Sequence, residues 1–176
     1  MNNPSSQQGS DIRWVVMGVS GCGKSTVGQE LASALAVPFI EGDQYHPAAN
    51  VAKMSAGVPL TDDDRSEWLR ALQAQIRTAR EQGAGLVLSC SALKRRYRDL
   101  LREADPALRF AHLSGTREVI EARMQSRVGH YMPLSLLDSQ LRDLEPLQAG
   151  EAGITLDIGS APYQLVARIL ASTAGD

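Results

Sequence analysis

The sequence predicts an α/β domain with a parallel five-stranded sheet and helices on both faces. Three observations carry this prediction. Strand-like and helix-like patterns alternate from residue 11 onward, with no repeat, linker or low-complexity segment between them. A glycine-rich stretch, Gly18-Val-Ser-Gly-Cys-Gly-Lys-Ser25, matches G-x-x-x-x-G-K-[ST] and stands between a strand pattern and a helix pattern. The 176 residues amount to one domain, long enough to bury a substantial core.

The first strand is expected over about Ile12–Met17, from its apolar run, and the glycine-rich loop leads into a helix ending near Leu35. Pro38–Glu41 reads as a short second strand, Gly42–Pro47 as a loop, and Ala48–Ser55 as a short helix broken by Gly57 and Pro59. Thr61 can cap a helix whose first turn holds Asp62, Asp63 and Asp64. In that helix Trp68, Leu72, Ile76 and Ala79 recur at helical spacing and face the core, and Gly83 and Gly85 end it. Leu86–Cys90 is continuous in apolar character, as a buried parallel strand is. Ser91 is the expected cap of the next helix, with Leu93, Tyr97, Leu100 and Leu101 inward. Leu108–Leu113 alternates as a fourth strand. A helix from Thr116 to about Arg127, a glycine-containing loop over 128–133 and a helix from Leu134 to Leu144 come next. Ile154–Ile158 is the fifth strand, and Pro162 starts the last helix at its first turn.

Composition narrows the function. A 43% hydrophobic and 22% charged chain with net charge −2 offers no basic stripe for nucleic acid. No apolar run approaches the roughly 18 residues of a membrane span, and the N-terminus lacks a signal-peptide pattern. Residues 1–10 are polar and read as a disordered tail before a single domain over 11–176. The two cysteines, Cys22 and Cys90, form no C-x-x-C pair, which argues against zinc and for a reducing cytoplasm.

The glycine-rich stretch implies a nucleoside triphosphate. Gly18, Gly21 and Gly23 free the backbone so that its N–H groups converge on phosphate oxygens at a helix N-terminus. The nucleotide-binding run is Gly18, Val19, Ser20, Gly21, Cys22, Gly23, Lys24, Ser25 and Thr26. Lys24 supplies a charge for the β- and γ-phosphates, and the Ser25 hydroxyl can ligate Mg²⁺. No N-K-x-D or L-S-G-G-Q-like stretch points to a GTPase or a transport ATPase. The strand ending Ser89-Cys90-Ser91 brings no carboxylate for metal and water, so the best-placed acid is Asp43. A carboxylate there suits a kinase, which must take a proton from an acceptor hydroxyl, although an Asx turn is the plainer role. Arg123 and Arg127 share a helix face before the 128–133 loop, an arrangement suited either to γ-phosphate stabilisation by a lid over about 123–133 or to a solvated basic face. His46 and His130 lie in loops where histidine is usually a surface residue, and His112 lies on a strand as a structural one. Lys94 sits at the expected ligand edge or is a surface lysine, and Arg65 is a candidate for an anionic substrate. Open sheets bind ligands beyond the carboxyl ends of their strands, which places the site at 18–25, 42–47, 89–94, 114–117 and 159–162.

Four stretches together resemble the bacterial-type gluconate kinases: Gly18–Ser25, Glu41-Gly-Asp-Gln-Tyr-His-Pro47, Lys53-Met-Ser-Ala-Gly-Val-Pro-Leu-Thr-Asp-Asp-Asp-Arg65-Ser-Glu-Trp-Leu69, and Cys90-Ser-Ala-Leu-Lys-Arg-Arg-Tyr-Arg-Asp-Leu-Leu-Arg102. Arg127-Val-Gly-His-Tyr-Met132 resembles their lid, and the likeness covers about residues 12–170. It implies a P-loop fold like that of nucleoside-monophosphate kinases, ATP and Mg²⁺, phosphorylation of D-gluconate at its 6-hydroxyl, and a cytoplasmic homodimer. By similarity to the related shikimate kinases it also raises Asp43 and Arg65 as substrate residues, with His46 and Lys94 behind them. Cys22 stands where many relatives carry a smaller residue, and Tyr131 where others have Phe. A thiol at a helix N-terminus is expected to react with thiol reagents. A kinase of another small polyol acid, such as shikimate, and a nucleotide-binding regulatory module are the competing readings.

Overall fold

The computed structural model of the chain describes residues 11–127 and 133–174. The expected tail at 1–10 and the lid stretch at 128–132, with His130 and Tyr131, lie outside the described residues. Five strands, β1 (Arg13–Met17), β2 (Phe39–Glu41), β3 (Leu86–Ser89), β4 (Arg109–Ser114) and β5 (Gly153–Asp157), pair in parallel in the order β2-β3-β1-β4-β5. Among the described residues there are seven α-helices, α1 (Lys24–Leu35), α2 (Ala48–Ser55), α3 (Asp62–Glu81), α4 (Arg95–Ala104), α5 (Arg117–Gln125) and α6 (Leu134–Asp143) between the strands and α7 (Pro162–Thr173) after the last one. Gly42–Tyr45, expected as loop, winds into a single 3₁₀ turn.

The sheet is buried on both faces, and its strands divide their side chains by the two-residue period. Trp14 and Val16 of β1 join one core with Leu31 of α1 and Ile169 of α7. Val15 and Met17 join the other, with Trp68, Leu72 and Ile76 of α3 and Leu101 of α4. The apolar stripe read from α3 is therefore the wall of one core. A capping box starts that helix: Asp64 N–H donates to Thr61 Oγ1 at 3.1 Å, and Thr61 N–H donates to the Asp64 carboxylate at 2.8 Å. Three acids in its first turn lie at the positive end of the helix dipole.

The fourth helix departs from expectation. It begins at Arg95, not after Ser91, and Lys94 occupies its cap position. The cause is Arg98, which the sequence places in a basic run but the fold buries completely. Its Nη1 donates to the carbonyls of Ala92 at 2.9 Å and Leu93 at 3.2 Å, and Ala92 takes a left-handed φ of 44°. Those carbonyls are thereby withdrawn from a helical ladder. Arg98 also forms a two-point pair with Glu151, at 2.7 and 3.0 Å. Burial pushes the Glu151 carboxyl up, but Arg98, the Gln148 N–H and Arg102 together bring it down to about 2. This clamp holds residues 90–94 outside the helix, beyond the carboxyl end of β3.

His112 of β4 is 2% exposed, with no hydrogen-bond partner for either ring nitrogen among the described residues. Burial first, and the Arg98 charge second, lower its pKa from 6.5 to about 4. The unfolded chain therefore binds this proton before the folded one does. Stability should fall by up to roughly 3 kcal/mol as pH drops from 6.5 to 4, and His112→Leu should flatten that window in urea titrations. An unchanged pH slope in the variant would remove His112 from the acid response.

Candidate active site

The carboxyl ends of β1, β2 and β3 meet at a cavity of about 320 Å³ lined by Ser20, Lys24, Asp43, His46, Arg65, Trp68 and Gln140, among others. Of the five stretches expected at the ligand edge, 18–25, 42–47 and 89–94 supply its lining, while 114–117 and 159–162 do not.

β1 delivers the phosphate loop. Gly23, at φ 93°, caps α1 in a left-handed conformation that an L side chain rarely adopts, and its carbonyl accepts from Val27 N–H at 3.1 Å. Lys24 Nζ donates to Val19 O at 3.0 Å, and Gly18 N–H donates to Ser91 O at 3.3 Å, which ties the loop to the 90–94 segment. Ser20 N–H donates to Gln140 Oε1 at 2.7 Å. This bond joins the loop to α6, a helix to which sequence reasoning gave no part in the site. The Cys22 side chain is directed into the core and is 1% exposed. A Cβ on Gly18 would come 2.7 Å from its sulfur, so the thiol lies under the loop and not in the site. The expectation of a reagent-accessible Cys22 is thus corrected.

β2 delivers a carboxylate that sequence reasoning passed over. Glu41 accepts a hydrogen bond from Ser25 Oγ and another from Ser89 Oγ. Ser89 Oγ accepts in turn from Gly42 N–H at 3.1 Å. β3 ends without a carboxylate, and Glu41 at the end of the neighbouring β2 lies in register with Ser89. Gly42 makes the approach possible, since a Cβ there would lie 2.0 Å from Ser89 O. Asp43 comes next, exposed in the 3₁₀ turn, with no hydrogen bond to its carboxylate among the described residues.

The far wall belongs to His46, Trp68 and Arg65. The His46 ring stacks on Trp68 at 4.1 Å with 17° between planes, and Trp68 Nε1 donates to Gly42 O at 2.8 Å. Burial lowers the His46 pKa; the Asp43 charge raises it and the Arg65 charge lowers it. Arg65 is 6% exposed, and its Nη1 donates to Tyr97 Oη at 3.0 Å and to Asp143 Oδ2 at 3.2 Å. Its Nε and Nη2 have no partner among the described residues, so the planar fork keeps donors for an anion in the cavity.

The other expected residues are placed differently. Lys94 Nζ bonds Asp62 Oδ1 at 3.1 Å, in a cluster with Arg96 and Tyr97 Oη, and does not line the cavity. Arg123 reaches the rim of the phosphate loop near Gly23 and donates to Ile158 O at 2.5 Å. Arg127 lies beyond the end of α5, exposed, and is not brought into the cavity. Among the described residues, no group of three His, Cys, Asp or Glu could hold a metal ion. No helix there is long and apolar enough to cross a membrane.

The AAA domain family matches residues 14–147. A gluconokinase of Gluconobacter oxydans is 49% identical over 146 residues, spanning 82% of each chain. A thermosensitive gluconokinase of Escherichia coli is 46% identical over 142 residues, 80% of this chain and 75% of that one. The crystal structure of a gluconokinase from Sinorhizobium meliloti superposes with a TM-score of 0.85 at 46% identity, covering 93% of this chain and 92% of that one.

Cys22 and Cys90 are both buried, and burial raises the Cys90 thiol to about 12. A chromogenic disulfide reagent should therefore titrate no thiols in the native protein and two after denaturation. Rapid native labelling of Cys22 would show that the loop opens to expose its underside.

Proposed function

This chain belongs to the AAA domain family of P-loop proteins and, within it, to the gluconokinases, and we propose that it transfers the γ-phosphoryl group of ATP to the 6-hydroxyl of D-gluconate, giving 6-phospho-D-gluconate and ADP. The observation that supports the reading is a single cavity lined both by the phosphate loop and by Asp43, His46 and Arg65. One wall is a phosphate loop with Lys24; the other is an exposed Asp43 opposite a buried Arg65 with unused donors. Gluconate has the matching ends, a carboxylate at one and a primary hydroxyl at the other.

In this reading Arg65 grips the substrate carboxylate through two parallel N–H bonds. The chain of hydroxyls runs past His46, and the 6-hydroxyl comes to rest between Asp43 and the phosphate loop. Asp43 accepts the hydroxyl proton as the oxygen attacks phosphorus in line, and the bond from phosphorus to the leaving ADP oxygen breaks. Lys24 and the loop N–H groups meet the charge on the phosphates, with Arg123 and Arg127 completing the lid side. Ser25 and Glu41 offer the hard oxygen donors that Mg²⁺ takes when it is also held by phosphates, and their contact supports a site there. When bound, Mg²⁺ would supply charge neutralisation at the transferring phosphates, with Ser25 and Glu41 as the residues to hold it. His46 completes the acceptor wall, and Lys94, outside the cavity, supports it indirectly by holding Asp62 against Tyr97, a partner of Arg65. The reading includes a cytoplasmic homodimer, which sedimentation checks as twice the 19.0 kDa chain mass.

A coupled ADP assay over a panel of sugar acids should give turnover with gluconate and little with shikimate; silence with gluconate would reject the assignment. Lys24→Ala and Asp43→Asn should each lower kcat by about 10²–10⁴-fold, with Asp43→Asn leaving ATP affinity near normal. Arg65→Lys should raise the gluconate KM by about tenfold or more, as a charge-assisted pair is worth ~1.5–3 kcal/mol. Glu41→Gln should raise the Mg²⁺ concentration for half-maximal rate. If that concentration is unchanged, the cation is held elsewhere.

A further inference from the structure

We propose that Asn50 is a positioning residue that fixes the tautomer of His46, so that a neutral imidazole presents its Nε2–H to the substrate as a hydrogen-bond donor. Asn50 lies in the first turn of α2 and is 4% exposed. A buried amide is costly unless its groups are used. Its Nδ2 donates to the backbone carbonyl of Asp64 at 2.8 Å. A carbonyl can only accept, so this atom is the amide nitrogen, and the orientation of the carboxamide is settled. The same Nδ2 lies 3.3 Å from His46 Nδ1. Facing a donor, Nδ1 must carry the lone pair, and the ring proton falls to Nε2.

The ring has little freedom to escape this arrangement. It is stacked on Trp68, and Trp68 is itself tied to Gly42 O. With one face on Trp68 and Nδ1 against Asn50, the Nε2 edge has no partner among the described residues, on a residue that lines the cavity. The charged groups facing the imidazole are Asp43 and Arg65, of opposite sign, and the burial that dominates them keeps it neutral. Behind Asn50, the Asp64 carboxylate is taken up by Lys53 Nζ at 2.8 Å and by the Thr61 N–H at 2.8 Å.

A fixed Nε2–H selects an acceptor. It suits a hydroxyl or carboxylate oxygen of the bound acid and cannot accept the proton of the reacting hydroxyl. That duty is left to Asp43. The identity of the ligand rests on the gluconokinase reading, but the tautomer does not. Asn50→Asp inverts the arrangement, because a carboxylate takes a hydrogen bond from Nδ1–H and favours the cation.

The test is nitrogen NMR on protein labelled at its three histidines, with His46 assigned by its loss in His46→Gln. The wild-type protein at pH 7 should show the Nε2–H form for His46. Asn50→Asp should show Nδ1–H or a cation, with the gluconate KM raised about tenfold at the pH where the neutral Nδ1–H form prevails, and the ATP KM unchanged. An Nδ1–H tautomer in the wild-type protein overturns the proposal without any variant. So does an Asn50→Asp spectrum that keeps Nε2–H. If the tautomer is as stated but gluconate is not turned over, the functional reading fails and the positioning role stands.

Discussion

The carboxylate of Glu41 is the point on which the two halves of the site depend. It accepts from Ser25 on α1 and from Ser89 on β3, and Ser89 accepts from the backbone of Gly42. α1, β3 and the chain that follows β2 are thus held at one carboxyl group. A charge placed among partly buried groups needs such partners, because unpaired it would cost several kcal/mol. With them it locks the phosphate loop against the edge strand and sets the position of the chain beyond Gly42.

The acceptor side begins there. One residue past the close approach to Ser89 O, the chain turns and Asp43 projects on its own. Residues 41 and 43 are chemically alike but differ in surroundings. Glu41 is hydrogen-bonded at both oxygens and suited to a fixed electrostatic role, whereas Asp43 is exposed and has room to exchange a proton. The buried Arg65 lines the same cavity, and its place is set by Tyr97 and Asp143.

Much of this was legible in the sequence because the signals were local. The phosphate loop carries its own spacing, Thr61 and Asp64 announce a helix start, and the stripe from Trp68 to Ile76 has the helical period. The features that could not be read depended on strand order. Nothing in the spacing of residues 41 and 89 says that β2 lies beside β3, so the acid was sought at the end of the wrong strand. The late start of α4 was hidden for a similar reason. Ser91 has good capping chemistry, but Arg98 takes the carbonyls of Ala92 and Leu93, and its partner Glu151 is 53 residues away. The bond from Gln140 to Ser20 is longer in range still and has no sequence signature.

The stack of His46 on Trp68 gives the protein a built-in optical probe of its acceptor wall. The chain has two tryptophans. Trp14 belongs to the core on the opposite face of the sheet, 1% exposed. Trp68 lines the cavity, with its ring 4.1 Å from that of His46. A change in indole emission on adding a sugar acid, in the absence of nucleotide, therefore originates at one known position. The acceptor half of the site can be followed on its own, with no attached dye and no turnover.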